Sequence, residues 1–213
     1  MKVFDGLHAF IWQDYSANNC NTYCIESDRK ILIDPGHLHL FSAVERELKK
    51  LGVSPDRLDV VLATHGHPDH LEAAGKFEKP TLFAMNREEH AFIRELAAGY
   101  FKVPEADFFI GEGDLTIGAI DFQVFVTPGH SPGSVCFYWK DRKALFTGDV
   151  VFNQGIGRTD LPGGNPRDLK RSIVRLSELD VEYLLTGHGD IVTGRDKVRE
   201  NFAMIQDYWF NYL

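Results

Sequence analysis

Short apolar stretches bounded by turn residues recur along the chain, and they predict a protein rich in strands. They lie at residues 7–12, 20–26, 30–33, 59–63, 122–126, 134–139, 143–146 and 183–185. Between them, apolar residues spaced three or four apart predict amphipathic helices. One such helix covers residues 39–51, and another has Val198, Phe202, Ile205 and Trp209 on one face.

Two further helices are marked by their first residues. Asn86 and Glu89 have the spacing of a capping box, which predicts a helix through about residue 97. Asn165 and Pro166 predict a second helix start, as an N-cap residue followed by a first-turn proline. Strand runs precede helices in both halves of the chain, so we expect an α+β protein with two sheets covered by outer helices.

Length and charge narrow the class of protein. The 213 residues suit one domain, 1–213, built from two similar halves that meet near residues 110–120. The net charge of −8 and the lack of a basic block argue against nucleic-acid binding. No apolar run reaches membrane-spanning length and the first residues do not resemble a signal peptide, so a cytoplasmic location away from membranes is the default expectation. The three cysteines, Cys20, Cys24 and Cys136, are expected to be buried free thiols.

Residues that commonly bind metals stand directly after four of the predicted strands. His65 follows 60–64, His130 follows 124–129, Asp149 follows 144–148 and His188 follows 183–187. Strand ends hold such loops rigidly and present them together at one sheet edge. A single histidine or aspartate in such a place is usually an ordinary polar or turn residue, so the argument depends on the combination.

The segment after the strand 59–63 is the densest, because it reads His65-Gly-His67-Pro68-Asp69-His70. Pro68 fits the first turn of a helix, which would place Asp69 and His70 at its N-terminus. Imidazole suits zinc, iron and other transition metals, and a carboxylate can bridge two ions. The clustering predicts a metal site. The remaining histidines, His8, His37, His39 and His90, are expected to be ordinary surface or core residues.

These motifs resemble the metallo-β-lactamase superfamily. The run from His65 to His70 is similar to the family's His-x-His-x-Asp-His signature, and segments 127–134, 147–149 and 186–189 resemble its later histidine, aspartate and histidine motifs. Residues 31–36, ending in Asp34-Pro-Gly, match its early turn. The resemblance covers residues 34–188 and implies an αββα sandwich of two mixed sheets flanked by helices.

The resemblance also implies a ligand set for two divalent metal ions, with zinc favoured and iron or manganese as alternatives. It assigns His65, His67 and His130 to one ion, Asp69, His70 and His188 to the other, and Asp149 to both. Asp69 would also orient the nucleophile. Asp34 would orient one of the metal ligands, although an aspartate that only stabilises the turn is equally expected from the sequence.

Segment 148–164 carries a Gly-Arg158-Thr-Asp160 core that resembles small glyoxalase II-like hydrolases and also persulfide dioxygenases. Arg158 would meet a substrate carboxylate and Asp160 would hold it, or the two form a structural pair. The expected activity is hydrolysis of a thioester, of glutathione type, or of a related ester, by a hydroxide that bridges the metals.

Two alternatives stay open at this point. A persulfide dioxygenase would hold one iron with His65, His130 and Asp149, and a lactonase or other esterase would use the full set. The short chain and the Leu-Pro-Gly-Gly after Asp160 favour the hydrolase. A non-catalytic binding module would be expected to lack a ligand, and none is missing. The aromatic segment 208–213 is a dimer contact, a pocket wall or core.

Overall fold

The computed structural model describes residues 1–14, 16–97 and 99–213, and its first half forms a seven-stranded sheet. Strands β1 to β4 pair antiparallel, whereas β4 to β7 pair parallel, so the sheet is mixed. The strands follow chain order: β1 Lys2–Phe4, β2 Leu7–Phe10, β3 Thr22–Glu26, β4 Lys30–Ile33, β5 Val60–Leu62, β6 Leu82–Asn86 and β7 Phe108–Ile110. Three helices accompany them: α1 Ser42–Lys50, α2 Pro68–Leu71 and α3 Arg87–Leu96.

The second half forms a six-stranded mixed sheet. Its elements in chain order are β8 Gly113–Ile117, β9 Ile120–Val126, β10 Val135–Trp139, β11 Ala144–Gly148, the small hairpin β12 Val151–Phe152 and β13 Gly155–Ile156, α4 Pro166–Ser177, β14 Tyr183–Thr186, β15 Val192–Thr193 and α5 Arg195–Tyr208. The strand order in the sheet is β15-β14-β11-β10-β9-β8. Only β11 and β14 pair parallel, and this pairing lets both strands end at the same edge.

The two sheets pack face to face, and helices cover their outer faces. Successive side chains of a strand point to opposite faces of its sheet. In β4, Ile31 and Ile33 therefore lie in the core between the sheets, whereas Leu32 packs on the outer side with α1. The inner core joins residues of both sheets, such as Leu62 from the first and Phe146 from the second. A third cluster packs α4 and α5 on the outer face of the second sheet. This is the expected αββα sandwich.

Most predicted elements are present, with shifted ends. The 39–51 helix begins at Ser42, and residues 38–40 form a 3-10 turn before it. Cys20 lies before β3 rather than within it, and all three cysteines are buried and free. Strands β6, β7 and β8 were not predicted from the sequence. Among the described residues, no helix is both long and apolar enough to cross a membrane.

Candidate metal centre

The C-terminal ends of four strands meet at one edge of the sandwich. His65 follows β5 of the first sheet, and His130, Asp149 and His188 follow β9, β11 and β14 of the second. In the second sheet β10 runs antiparallel to both β9 and β11, so these two strands point the same way, and β14 is parallel to β11. Helix α2 begins at Pro68 and adds Asp69 and His70, as its first-turn proline predicted.

Three imidazoles form the first group of potential ligands. His67 Nδ1 lies 3.0 Å from His65 Nε2 and 2.8 Å from His130 Nε2. His65 and His130 are buried, while His67 is partly exposed. Three nitrogens that converge at such distances cannot all be satisfied by shared protons, whereas one cation would satisfy all three.

Two histidines and an aspartate form the second group. His70 Nε2 lies 3.2 Å from His188 Nε2, and Asp69 Oδ2 lies 3.3 Å from His188 Nε2 and 3.9 Å from His70 Nε2. The three ligand atoms lie within 4.8 Å of one another. Two imidazoles with one carboxylate are a common donor set for zinc and iron.

Asp149 lies between the two groups. Its Oδ1 is 3.2 Å from His70 Nε2, and its Oδ2 is 3.5 Å from both His130 Nε2 and His188 Nε2. Oδ1 is buried and, among the described residues, has no hydrogen-bond partner. A buried carboxylate oxygen without a donor is costly, and a cation would remove that cost. A Cβ at position 187 would collide with this oxygen, which explains the glycine there.

Asp34 fixes which ring nitrogen of two histidines faces the centre. Its Oδ2 accepts from His70 Nδ1 at 2.9 Å and from Thr64 Oγ1 at 2.8 Å, and its Oδ1 accepts from the Thr64 amide at 2.8 Å. Because the Thr64 hydroxyl proton is used on Asp34, its oxygen accepts from His65 Nδ1, 3.1 Å away. Once neutral, both rings therefore turn a bare Nε2 towards the centre.

His130 is oriented in the same way by the loop after β13, since its Nδ1 donates to the Arg158 carbonyl oxygen at 2.8 Å. The arrangement of nitrogen lone pairs and unpartnered carboxylate oxygen thus fits divalent cations at both groups.

The model of the metallo-β-lactamase superfamily matches residues 15–188 of the chain. The chain belongs to the metallo-β-lactamase superfamily. It is 36% identical over 194 residues to the probable metallo-hydrolase YqgX of Bacillus subtilis, which covers 83% of this chain and 90% of that protein. It is 32% identical over 197 residues to the hydroxyacylglutathione hydrolase GloC of Haemophilus influenzae, covering 86% and 91% of the two chains.

A solved structure is similar in fold and sequence. The crystal structure of TTHA1623 in a di-iron-bound form is 27% identical, with a TM-score of 0.73, and covers 91% of this chain and 96% of that one. The superfamily, the relatives and the histidine–aspartate clusters together make the chain a metal-dependent hydrolase that binds divalent metal.

The pKa values of the histidines in this metal centre shift in opposite directions, depending on the charges around each ring. Burial lowers the pKa of His65 well below its usual value and that of His67 to about 4, so both are neutral at pH 7. Burial also lowers the pKa of His188, but hydrogen bonds to Asp149 and Asp69 outweigh it and raise that pKa to about 9. The carboxylates around His70 likewise outweigh burial and raise its pKa.

Glu89 was missed as a site residue, and its predicted role was wrong. Asn86 does cap α3, accepting from the amides of Glu88 and Glu89. The Glu89 carboxylate does not return to the cap, as a capping box requires. It is buried, and its two oxygens accept from the Gly66 amide at 2.8 Å and the Gly133 amide at 2.7 Å. It therefore joins the loop that carries His65 and His67 to the loop that carries His130.

A cavity of about 590 Å³ opens onto the centre. Asn18, which the sequence reading also missed, lies in its wall and donates from Nδ2 to Asp69 Oδ2 at 2.7 Å. Arg158 lines the cavity and forms two parallel bonds to Asp160, Nε to Oδ1 at 2.8 Å and Nη2 to Oδ2 at 2.7 Å. Both side chains are exposed, so the pair adds little stability.

Proposed function

We propose that the chain hydrolyses thioesters of the hydroxyacylglutathione type, with two divalent metal ions held at the strand ends. The single observation that supports two ions is the position of Asp149, whose carboxylate lies between the two groups: Oδ2 is 3.5 Å from both His130 Nε2 and His188 Nε2, and Oδ1 is 3.2 Å from His70 Nε2. His65, His67 and His130 would hold one ion, Asp69, His70 and His188 the other, and Asp149 both. A mononuclear site on His65, His130 and Asp149 would leave four nearby metal-binding side chains without a metal ion. These are His67, Asp69, His70 and His188.

The bound metal pair would lower the pKa of a shared water, so that it is nucleophilic near neutral pH, and would polarise the acyl oxygen. Asp69 is proposed to ligate one ion and to orient the nucleophile. The bond from Asn18 to Asp69 Oδ2 fixes the carboxylate plane. A thiolate leaves easily because its thiol has a pKa of about 8.5, so no acid is needed to protonate it.

The cavity wall supports a substrate with an apolar part and a carboxylate. Phe152, Ile156 and Leu161 form an apolar side, and Arg158 stands at the same wall. Its guanidinium is already aligned by Asp160, which leaves the remaining N–H groups free to meet an anion. A glutathione thioester carries carboxylates on a flexible thiol arm and therefore matches this wall. The name of the Haemophilus influenzae relative supports the same substrate class.

Metal content and thioester cleavage test the proposal together. We would load the metal-free protein with Zn²⁺, Mn²⁺ or Fe²⁺, count the bound metal and follow loss of thioester absorbance with a hydroxyacylglutathione substrate. About two ions at the centre per active chain, with turnover, would support the proposal. A single iron at the centre per chain, with oxygen uptake on glutathione persulfide and no thioester cleavage, would replace it with the dioxygenase. Cleavage of lactones but not thioesters would move the substrate class to esters.

The role of Arg158 is tested by Arg158→Ala. We expect KM for the glutathione thioester to rise roughly tenfold or more, with a smaller change in kcat, because the contact is to a remote carboxylate. Arg171→Ala is the matched control, since Arg171 also pairs with a nearby aspartate, Asp168, but does not line the cavity. Equal KM values for the two variants would remove Arg158 from substrate binding.

A further inference from the structure

A second group of metal-binding side chains lies outside the centre. His37, His39 and Glu72 offer one ligand atom each, all within 4.8 Å of one another. His37 Nδ1 is 3.0 Å from Glu72 Oε2, and the two imidazole rings lie with centroids 4.9 Å apart. The His37 and Glu72 side chains are only 20% and 22% exposed, whereas His39 is exposed. The group is thus accessible to an ion from solvent but partly sheltered.

The backbone holds this group in place. The Leu38 amide donates to Glu72 Oε2 at 3.1 Å, and the His37 amide donates to Asn19 Oδ1 at 2.8 Å. The Ala73 amide donates to the Gly36 carbonyl at 2.8 Å, which ties the turn before His37 to the residues after α2. Two of the three metal-binding residues, His37 and Glu72, are therefore held in position before any ion binds, which lowers the entropic cost of binding.

His39 is what separates this group from an ordinary histidine–glutamate pair. The chain holds such a pair in His8 and Glu26, whose Nε2 and Oε1 atoms are 3.1 Å apart. That pair belongs to none of the donor groups found in the described residues. At His37, a second imidazole completes a set of two nitrogens and one carboxylate, which suits zinc and other borderline divalent ions and leaves positions for water.

We propose that His37, His39 and Glu72 form an accessory Zn²⁺ site, separate from the centre at the strand ends. The ion would clamp the turn after Asp34 to the residues after α2. Because Asp34 orients His70, and α2 carries Asp69 and His70, the accessory ion would stiffen the support of the second donor group without contacting it.

The test is zinc stoichiometry at buffered free Zn²⁺, measured by equilibrium dialysis on the full chain. His39→Gln is the main variant because its side chain is exposed, so that the substitution removes a ligand atom without opening the core, and Glu72→Gln is the second. His8→Gln is the matched control. We expect the wild type and His8→Gln to bind one zinc ion more per chain than either cluster variant. Since only the difference is used, the result does not depend on how many ions the main centre holds.

A second readout separates a specific site from loose surface binding. With the main centre already saturated, further Zn²⁺ should raise the melting temperature of the wild type and His8→Gln but not of His39→Gln. Circular dichroism of each variant verifies its fold. Equal stoichiometry in all four proteins would overturn the proposal. So would a loss of zinc in His8→Gln equal to that in His39→Gln, because any surface histidine would then suffice.

Discussion

Replacing Glu89 with glutamine should weaken both the fold and the metal centre. The carboxylate accepts one amide proton on each oxygen, from Gly66 and from Gly133. Glutamine keeps the shape but has one carbonyl oxygen, so its amide group must face one of the two backbone donors. The N–H of the glutamine side chain and a backbone N–H then point at each other, and a buried N–H is left without an acceptor.

The expected loss follows from these two bonds. A hydrogen bond to a charged group contributes about 1.5–3 kcal/mol, and an unsatisfied buried donor costs about 1–3 kcal/mol. Burial raises the pKa of Glu89, so part of that gain is already offset by the cost of burying its charge. We expect a net loss of about 2 kcal/mol, which lowers the melting temperature by roughly 4–8 °C in a chain of this size.

The metal centre should respond as well, because Gly66 lies between two proposed ligands, His65 and His67. We expect roughly tenfold weaker zinc binding, measured by competition with a chromogenic chelator. Glu88→Gln is the matched control, since Glu88 is the adjacent, exposed acidic residue in the same first helical turn. It should change stability by less than about 0.5 kcal/mol. If Glu89→Gln matched Glu88→Gln in both stability and zinc affinity, the carboxylate would not hold the two loops.

The charges and hydrogen bonds of the centre give three further predictions. Asp34→Asn should weaken metal binding by roughly 10–100-fold in a chelator competition, because an amide cannot accept from all three donors; unchanged affinity would contradict this. Zinc binding at pH 7.5 should displace about two protons from His70 and His188 and about one more from the shared water, as measured by calorimetry in buffers of different ionisation enthalpy. The His188 share should disappear above pH about 9, where His188 is already neutral, and no such change would contradict its raised pKa. Chelation of the metal should lower the melting temperature by roughly 5–10 °C, because a ligand at a hundred times its Kd stabilises the fold by about 2.7 kcal/mol. Scanning calorimetry with and without chelator measures this shift, and an unchanged melting temperature would contradict the prediction.

The sequence predicted the fold and the gathering of the ligand-type residues because both depend on local patterns. Each apolar run that became β5, β9, β11 or β14 ends within four residues of His65, His130, Asp149 or His188, so a strand prediction also located the residue. The short strands β6, β7 and β8 lacked a comparable signal. Their pairing is set by neighbouring strands, and short apolar or mixed runs do not reveal it.

Hydrogen bonds between residues far apart in the sequence could not be predicted from local sequence patterns. Glu89 fits a capping box three residues after Asn86, yet its partners Gly66 and Gly133 are 23 and 44 residues away. Asn18 bonds to Asp69 across 51 residues from a polar loop with no pattern of its own. Such contacts exist only once the sheets have packed, so a local motif predicts the wrong partner or none.

Apart from the shared Asp149, which also comes from the second half of the chain, each proposed ligand set takes two residues from the first half and one from the second. Neither half can therefore build a complete set alone. The inner core, which joins Leu62 of the first sheet with Phe146 and Leu185 of the second, therefore sets the distances within the centre. The apolar cavity wall has a different origin, because Phe152, Ile156 and Leu161 lie between Asp149 and α4, where the chain provides no further proposed ligand. The side chains of this wall can change without moving the ligands as long as the backbone still places the Arg158 carbonyl oxygen beside His130 Nδ1. One metal centre can in this way serve different substrates on the same fold.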